Sequence, residues 1–194
     1  MSGNRAQVFT LEGVLAALVV LAGLVFALQA VVVTPSESSA TTGPGDANRV
    51  DSILFGAAQD GSLKRSVLAW GGGSFLGSTS GTGHYVDDFP DNEFGNALTQ
   101  SFDQSKTVNV VVRYVDSSGS LNSERLVYNG IPTGTTVRSS VTVPLYDSDR
   151  LRQANGNLQV PEQTVKGSTF YVSDQYPGND LYAVLEVEVV VWRS

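Results

Sequence analysis

The chain lacks cysteine altogether and has a single histidine, His84. The absence of cysteine excludes a thiol nucleophile, a disulfide framework and any cysteine-ligated metal or iron–sulfur centre. One histidine is too few for a histidine-based zinc site, and His84 lies in a Gly/Ser/Thr-rich segment without a Gly-x-Ser-x-Gly motif. We therefore expect no cofactor and no enzymatic activity. One alternative stays open, because two carboxylates brought together by folding can hydrolyse a glycosidic bond.

Lysine is scarce as well: the chain has Lys64, Lys106 and Lys166 against nine arginines, and its net charge is −7. An acidic surface with few lysines is typical of proteins that work in high salt. An ordinary acidic surface is the alternative, and the two are evenly weighted. The chain has no basic cluster and the wrong sign of charge for nucleic acid, which is therefore not expected as a partner.

One apolar run dominates the N-terminal region, over residues 13–33, and its one polar side chain is Gln29. At 1.5 Å per residue, a helix of about 21 residues reaches roughly 30 Å, the thickness of a bilayer core. The run is longer than the ~7–15 apolar residues of a cleaved secretory signal, which is the competing interpretation. We predict a transmembrane helix over residues 13–33, in contact with membrane lipid.

The charges on either side of this run predict its orientation. Arg5 and the free amino group precede the run, whereas residues 34–45 contain no basic residue and one acid, Glu37. The positive-inside rule places residues 1–12 in the cytoplasm and the rest of the chain outside the cell. Residues 34–45 are rich in Ser, Thr, Pro and Gly, and we predict that they link the helix to an extracytoplasmic domain over residues 46–194.

Residues 5–14, RAQVFTLEGV, resemble the start of type IV pilins and of archaeal class III signal sequences. The resemblance implies a leader peptidase that cuts between Ala6 and Gln7 on the cytoplasmic side and leaves the helix in place. It also implies that Glu12 pairs with the new N-terminal amine of a neighbouring subunit. The partners would then be other pilin-like subunits and pilus assembly proteins. Pilins place this glutamate fifth after the cut, whereas Glu12 is sixth after Ala6 and fifth after Gln7.

Glu12 also has a simpler interpretation that needs no partner. A carboxylate is costly inside the bilayer, but it is tolerated at the membrane interface. In the first turn of a helix the dipole favours a negative charge. Position alone therefore explains Glu12 as an interfacial residue at the start of the apolar helix.

Hydrophobic periodicity after residue 45 predicts an α+β fold. Helical spacing occurs over residues 46–58, 62–70 and 93–102, and strands are predicted over 107–116, 123–128, 136–146 and 180–193, with a further short candidate at 169–172. In the last of these segments Leu185, Val187, Val189 and Val191 share the side that must face the core. The predicted architecture is one N-terminal transmembrane helix followed by a mostly antiparallel sheet with two or three short helices, an arrangement that pilins share.

Two polar segments carry weaker signals of ligand binding. Oxygen-bearing side chains cluster at Asp87, Asp88, Asp91, Asn92 and Glu93, and such clusters can bind Ca²⁺. Because the Asp-x-Asp-x-Asp-Gly register is absent and Pro90 interrupts the cluster, a solvated acidic loop is the favoured interpretation. The glycine run at 71–73 lacks the Gly-Lys-Ser/Thr ending of a phosphate-binding loop and follows no predicted strand, so we do not expect nucleotide binding.

Three functional hypotheses follow from these observations. The first is a membrane-anchored pilin-like structural or assembly component of a type IV pilus-like system, which the resemblance implies. The acidic, lysine-poor remainder and its closing VEVVVWRS are similar to a family of haloarchaeal pilin-like membrane proteins without an established activity. The second hypothesis is a surface-anchored binding or adhesion module that does not polymerise, and the third is an extracytoplasmic hydrolase.

Overall fold

The computed structural model of the protein describes Val20 and residues 44–157 and 163–193. The chain divides into two compact units, Met1–Glu37 and Ser38–Ser194, and all described residues except Val20 belong to the second unit. Among the described residues no helix combines the length and the apolarity needed to cross a bilayer. The predicted anchor at 13–33, apart from Val20, and the predicted linker up to residue 43 lie outside the described residues.

Residues 44–157 and 163–193 form three α-helices and six β-strands. The helices are α1 (Pro44–Gln59), α2 (Ser62–Val67) and α3 (Glu93–Ser101), and a single 3₁₀ turn covers Val165–Gly167. The strands are β1 (Trp70–Gly71), β2 (Ser74–Phe75), β3 (Lys106–Val115), β4 (Leu121–Val127), β5 (Thr136–Tyr146) and β6 (Leu181–Arg193). The predicted α+β class is confirmed, and α1 begins two residues before its predicted start, at a proline that suits the first position of a helix.

The main sheet has four strands in the order β4-β3-β6-β5, and all neighbours are antiparallel, as predicted. The longest strand, β6, lies between β3 and β5 and pairs with both along most of its 13 residues. The β4–β5 connection must pass the ends of β3 and β6 to reach the opposite edge. Asn109 and Asn129 fix this crossing, because the Asn129 backbone N–H donates to Asn109 Oδ1 at 2.8 Å and Asn109 Nδ2 donates to the Gly130 carbonyl at 2.9 Å.

One face of the sheet packs against the helices and forms the core. Leu185, Val187, Val189 and Val191 of β6 are fully buried there, which confirms the predicted side of this strand. Helix α1 packs against β5 and buries its apolar stripe, with Val50 and Leu54 almost inaccessible to solvent. Each such side chain contributes roughly 1.5–3 kcal/mol through burial.

The opposite face of the sheet is also partly covered. Glu188 is 8% exposed, and its carboxylate lies 2.6 Å from the guanidinium of Arg113 and 3.7 Å from that of Arg138. A buried carboxylate needs a compensating charge, whereas a solvent-facing one does not. Two arginines on the flanking strands compensate the charge of Glu188. On the same strand Val190 and Trp192 are each 3% exposed.

Two element predictions were wrong. The second helix ends at Val67, and Trp70 starts a short hairpin in which Gly72 and Gly73 connect β1 to β2. Both glycines have positive φ, 64° and 86°, a conformation that favours glycine, so the glycine run forms a turn between two strands.

The predicted strand at 169–172 is not a strand. Its apolar residues instead join an aromatic cluster: the Tyr171 ring lies 4.9 Å from Trp70 and 5.5 Å from Phe75 between centroids. The backbone carbonyl of Thr169 accepts a hydrogen bond from Trp70 Nε1 at 3.1 Å. Packing of aromatic rings, and not a ladder of backbone hydrogen bonds, accounts for the apolar residues of this segment.

Candidate functional site

A groove of about 580 Å³ opens between three segments that are distant in sequence. They are the irregular chain before α3, the first two turns of α3 and the turn at 153–155. The lining residues are Leu76, Gly77, Tyr85, Asp88, Phe89, Pro90, Asp91, Gly95, Asn96, Thr99, Gln153, Ala154 and Asn155. Its volume falls within the ~300–1,000 Å³ typical of small-ligand sites.

The floor of the groove is largely apolar and held in place by backbone contacts. Tyr85 is buried at the edge of the sheet, where its N–H donates to the Leu126 carbonyl and its carbonyl accepts from the Tyr128 N–H. The Tyr85 hydroxyl donates to the Leu76 carbonyl at 2.6 Å. Burial, with smaller contributions from the charges of Asp88 and Asp91, raises the pKa of Tyr85 to about 12. The phenol therefore stays neutral and committed to the fold.

The rim of the groove carries exposed polar side chains of two kinds. Asp88 and Asp91 offer only acceptors, whereas the amides of Asn96 and Gln153 offer both donors and acceptors. Asp88 Oδ1 accepts from the neighbouring Phe89 N–H at 2.8 Å. The side chains of Asn96 and Gln153 make no hydrogen bond with another described residue. Both side chains are exposed, so a ligand can reach these two amides.

Asn92 joins the elements that build the groove walls. It is buried at the N-cap of α3, where Oδ1 accepts from the Gly95 N–H at 3.1 Å. Its Nδ2 group donates to Ser66 Oγ on α2 at 2.8 Å and to the Ala154 carbonyl at 3.0 Å. One side chain thus fixes α2, α3 and the turn at 153–155 relative to one another.

Gly95 lets the chain before α3 approach the helix closely. A Cβ atom at this position would lie 1.9 Å from the carbonyl oxygen of Pro90, which no side chain tolerates. The Pro90 carbonyl therefore packs directly against the first turn of α3.

The acidic cluster found in the sequence does not converge on one point. Asp88 and Asp91 line the groove, whereas Asn92 points into the protein and Glu93 forms an ion pair with Arg65 at 2.5 Å. Asp87 has a positive φ of 53°, and its N–H donates to Asn129 Oδ1. Among the described residues no group of three or more His, Cys, Asp or Glu side chains is placed to hold a metal ion. The geometry gives no support to a calcium site at this cluster.

The other residues singled out in the sequence fall elsewhere. The ring of His84 packs edge-on to Tyr128, with centroids 5.8 Å apart. Ala6, Gln7 and Glu12 lie outside the described residues. Sequence reasoning missed Asn96, Thr99, Gln153 and Asn155, and no motif marks them, because folding alone brings α3 and the turn at 153–155 together.

The fold and the groove together define an α+β domain with a polar surface groove. Residues 5–191 match a family of unknown function, DUF7288, and the chain belongs to that family. No curated protein and no solved structure matches the chain.

Proposed function

We propose that this protein is a membrane-anchored, pilin-like structural or assembly component of a type IV pilus-like system, with its α+β domain outside the cytoplasm. The observation that carries the proposal is the order and packing of the domain. Among the described residues of the domain the first element is a helix, α1, which packs on the inner face of a four-stranded antiparallel sheet. A domain built on an antiparallel sheet is what the pilin-like segment at residues 5–14 implies after the N-terminal helix.

The way α1 is held supports a tethered domain. Asp46 in its first turn forms an ion pair with Lys106 at the start of β3, and both side chains are largely buried. The chain therefore enters the domain at a fixed point, at the sheet end where β3 begins and β6 finishes. A fixed entry point suits a domain that is tethered at its N-terminal end.

The groove favours a second candidate, a surface-anchored binding or adhesion module that does not polymerise. Its exposed amides at Asn96 and Gln153 have no described partner, and its volume is adequate for a small ligand. A purely structural subunit does not require such a feature. The two candidates share the anchor and differ in whether copies associate through it.

Substitution of Glu12 in the full-length protein separates the two candidates. If Glu12 pairs with a neighbour inside an apolar helix bundle, Glu12→Gln leaves one charge unpaired at a cost of about 3–5 kcal/mol. Association should then weaken more than a hundredfold, while membrane insertion is retained. The measurements are alkaline extraction of membranes for insertion and co-purification with pilin-like subunits from native cells for association.

Two further variants complete this experiment. Glu37→Gln removes an acid on the other side of the apolar run and should leave co-purification unchanged. Ala6→Leu should block leader removal, so that the intact mass persists in mass spectrometry. Normal co-purification of Glu12→Gln, together with a wild-type N-terminus still at Met1 or Ser2, would overturn the pilin-like proposal in favour of the binding module.

A further inference from the structure

The charge of the groove limits what it can bind. Its lining includes the carboxylates of Asp88 and Asp91 and no lysine, arginine or histidine among the described residues. A phosphate, sulfate or carboxylate ligand would be repelled by both acids and would find no cation to pair with. An anionic ligand is therefore disfavoured.

The hydrogen-bonding groups of the rim further restrict the class of ligand that the groove can bind. Amide side chains at Asn96, Gln153 and Asn155 can each donate and accept, and the two carboxylates accept strongly. A ligand that satisfies this mixture must itself present donors and acceptors side by side. Hydroxyl groups do so, because each has one donor hydrogen and two acceptor lone pairs.

The floor adds an apolar surface beneath these polar groups. Pro90 and Ala154 are buried there, and Phe89 is partly exposed while packing against the core. An aromatic ring next to polar side chains suits a ligand that has a flat C–H surface and hydroxyls around its edge. A sugar ring has that combination.

The groove is also preorganised, which reduces the entropy lost on binding. Asn92 joins the two walls through its hydrogen bonds with the Gly95 N–H and the Ala154 carbonyl, and Gly95 allows the Pro90 carbonyl to pack on α3. Its walls therefore need not be ordered by the ligand. We propose that this groove binds a neutral, polyhydroxylated ligand, namely a short stretch of a carbohydrate chain.

This inference goes beyond the proposed pilin-like role, because it applies equally to a filament subunit and to a single anchored protein. It concerns the groove, whereas the Glu12 experiment concerns the N-terminal helix. Loss of association in Glu12→Gln leaves carbohydrate binding unchanged, and loss of carbohydrate binding leaves co-purification unchanged. Failure of either proposal is therefore distinguishable from failure of the other.

The test uses the full-length protein in a detergent without a sugar headgroup. The probes are chitohexaose, cellohexaose and mannohexaose as neutral ligands, a heparin-derived hexasaccharide as an anionic ligand and spermine as a cationic one. Isothermal titration calorimetry should show binding of at least one neutral hexasaccharide. The affinity should be the same at low and high NaCl, because a neutral ligand has no charge to screen.

Variants localise the binding to the groove. The double variant Asn96→Ala/Gln153→Ala removes two hydrogen-bonding groups and should weaken binding about tenfold or more. Phe89→Leu keeps an apolar side chain, removes the aromatic ring and should also weaken binding. Gln100→Ala is the matched control, because Gln100 is an exposed amide on α3 that does not line the groove. Melting temperatures close to that of the wild type establish that the variants are folded.

Several outcomes would overturn the proposal. Binding of spermine alone, lost in high salt, would make the groove a cation site. Binding of the heparin fragment alone, of no probe at all, or of a neutral probe with equal affinity by the double variant would exclude carbohydrate recognition by this groove.

Discussion

The sheet and the groove walls are stabilised in different ways. The sheet buries a repeated apolar pattern, in which every second residue of β6 from Leu185 to Val191 is inaccessible to solvent. The groove walls depend on single residues with specific chemistry, above all Asn92 and Gly95. The first kind of structure tolerates an exchange of one apolar residue for another of similar volume, whereas the second does not. The difference predicts which substitutions damage the fold and which damage only the site.

The largest loss of stability is expected from a charge placed on the inner face of the sheet. Val187 is fully buried at the centre of β6, between β3 and β5. Val187→Asp would bury a carboxylate without a partner and should destabilise the domain by several kcal/mol, comparable with the whole free energy of unfolding. Thermal unfolding followed by circular dichroism measures this loss.

Ser123→Asp serves as the control for this substitution. Ser123 is exposed on β4 and lies opposite Arg113, so the same new charge should change the free energy of unfolding by less than about 0.5 kcal/mol. If both variants melt at the wild-type temperature, the inner face of the sheet is not the core of the protein in solution.

An intermediate loss of stability is expected from substitution of Asn92. Asn92→Ala removes the N-cap of α3, at about 1 kcal/mol, and leaves buried acceptors on α2 and the turn at 153–155 without a donor, at about 1–3 kcal/mol more. Chemical denaturation should therefore show a loss of about 2–4 kcal/mol.

Asn92→Asp separates the two roles of this residue. It keeps the oxygen that caps α3 but replaces the donor with a carboxylate next to the Ser62 and Ala154 carbonyls. We expect it to be at least as destabilising as Asn92→Ala. An Asn92→Asp protein as stable as the wild type would mean that only the cap matters and that the walls are not joined through Nδ2.

The smallest effect at neutral pH is expected from the buried tyrosines, whose contribution to stability changes only at alkaline pH. Burial raises the pKa of Tyr85 to about 12, and it also raises the pKa of Tyr171 and of Tyr182. These phenols are neutral in both the folded and the unfolded chain below about pH 10, the ordinary tyrosine pKa. Above it the unfolded chain loses protons first, so the free energy of unfolding should fall as the pH rises from about 10 to 12.

Melting temperatures measured across this range test the expectation, with tyrosinate absorbance as a second signal. Tyr85→Phe removes one of the three groups and should make the fall shallower. It should cost about 1 kcal/mol at neutral pH, because the hydrogen bond to the Leu76 carbonyl is lost. A melting temperature that is constant from pH 9 to 12 would contradict the burial of these rings.

The sequence predicts the sheet better than the groove for a physical reason. Period-two alternation in β6 and β3 depends on local backbone geometry, so the strands and their buried side can be read residue by residue. The prediction of a strand at 169–172 was wrong because the apolar residues of this segment pack against other rings, as the contact between Tyr171 and Trp70 shows. Asn92 could be recognised as polar but not as buried, since its partners on α2 and at Ala154 are far away in the sequence.

The edges of the sheet determine how these domains behave when crowded. Pro144 lies on the edge strand β5 and has no N–H to offer an incoming strand. At the other edge β4 carries Glu124 and Arg125, and the backbone of Tyr85 already bridges its end at Val127. Copies concentrated at a surface would therefore resist fusing into continuous sheets, and each domain would keep its own fold at densities where bare strand edges aggregate.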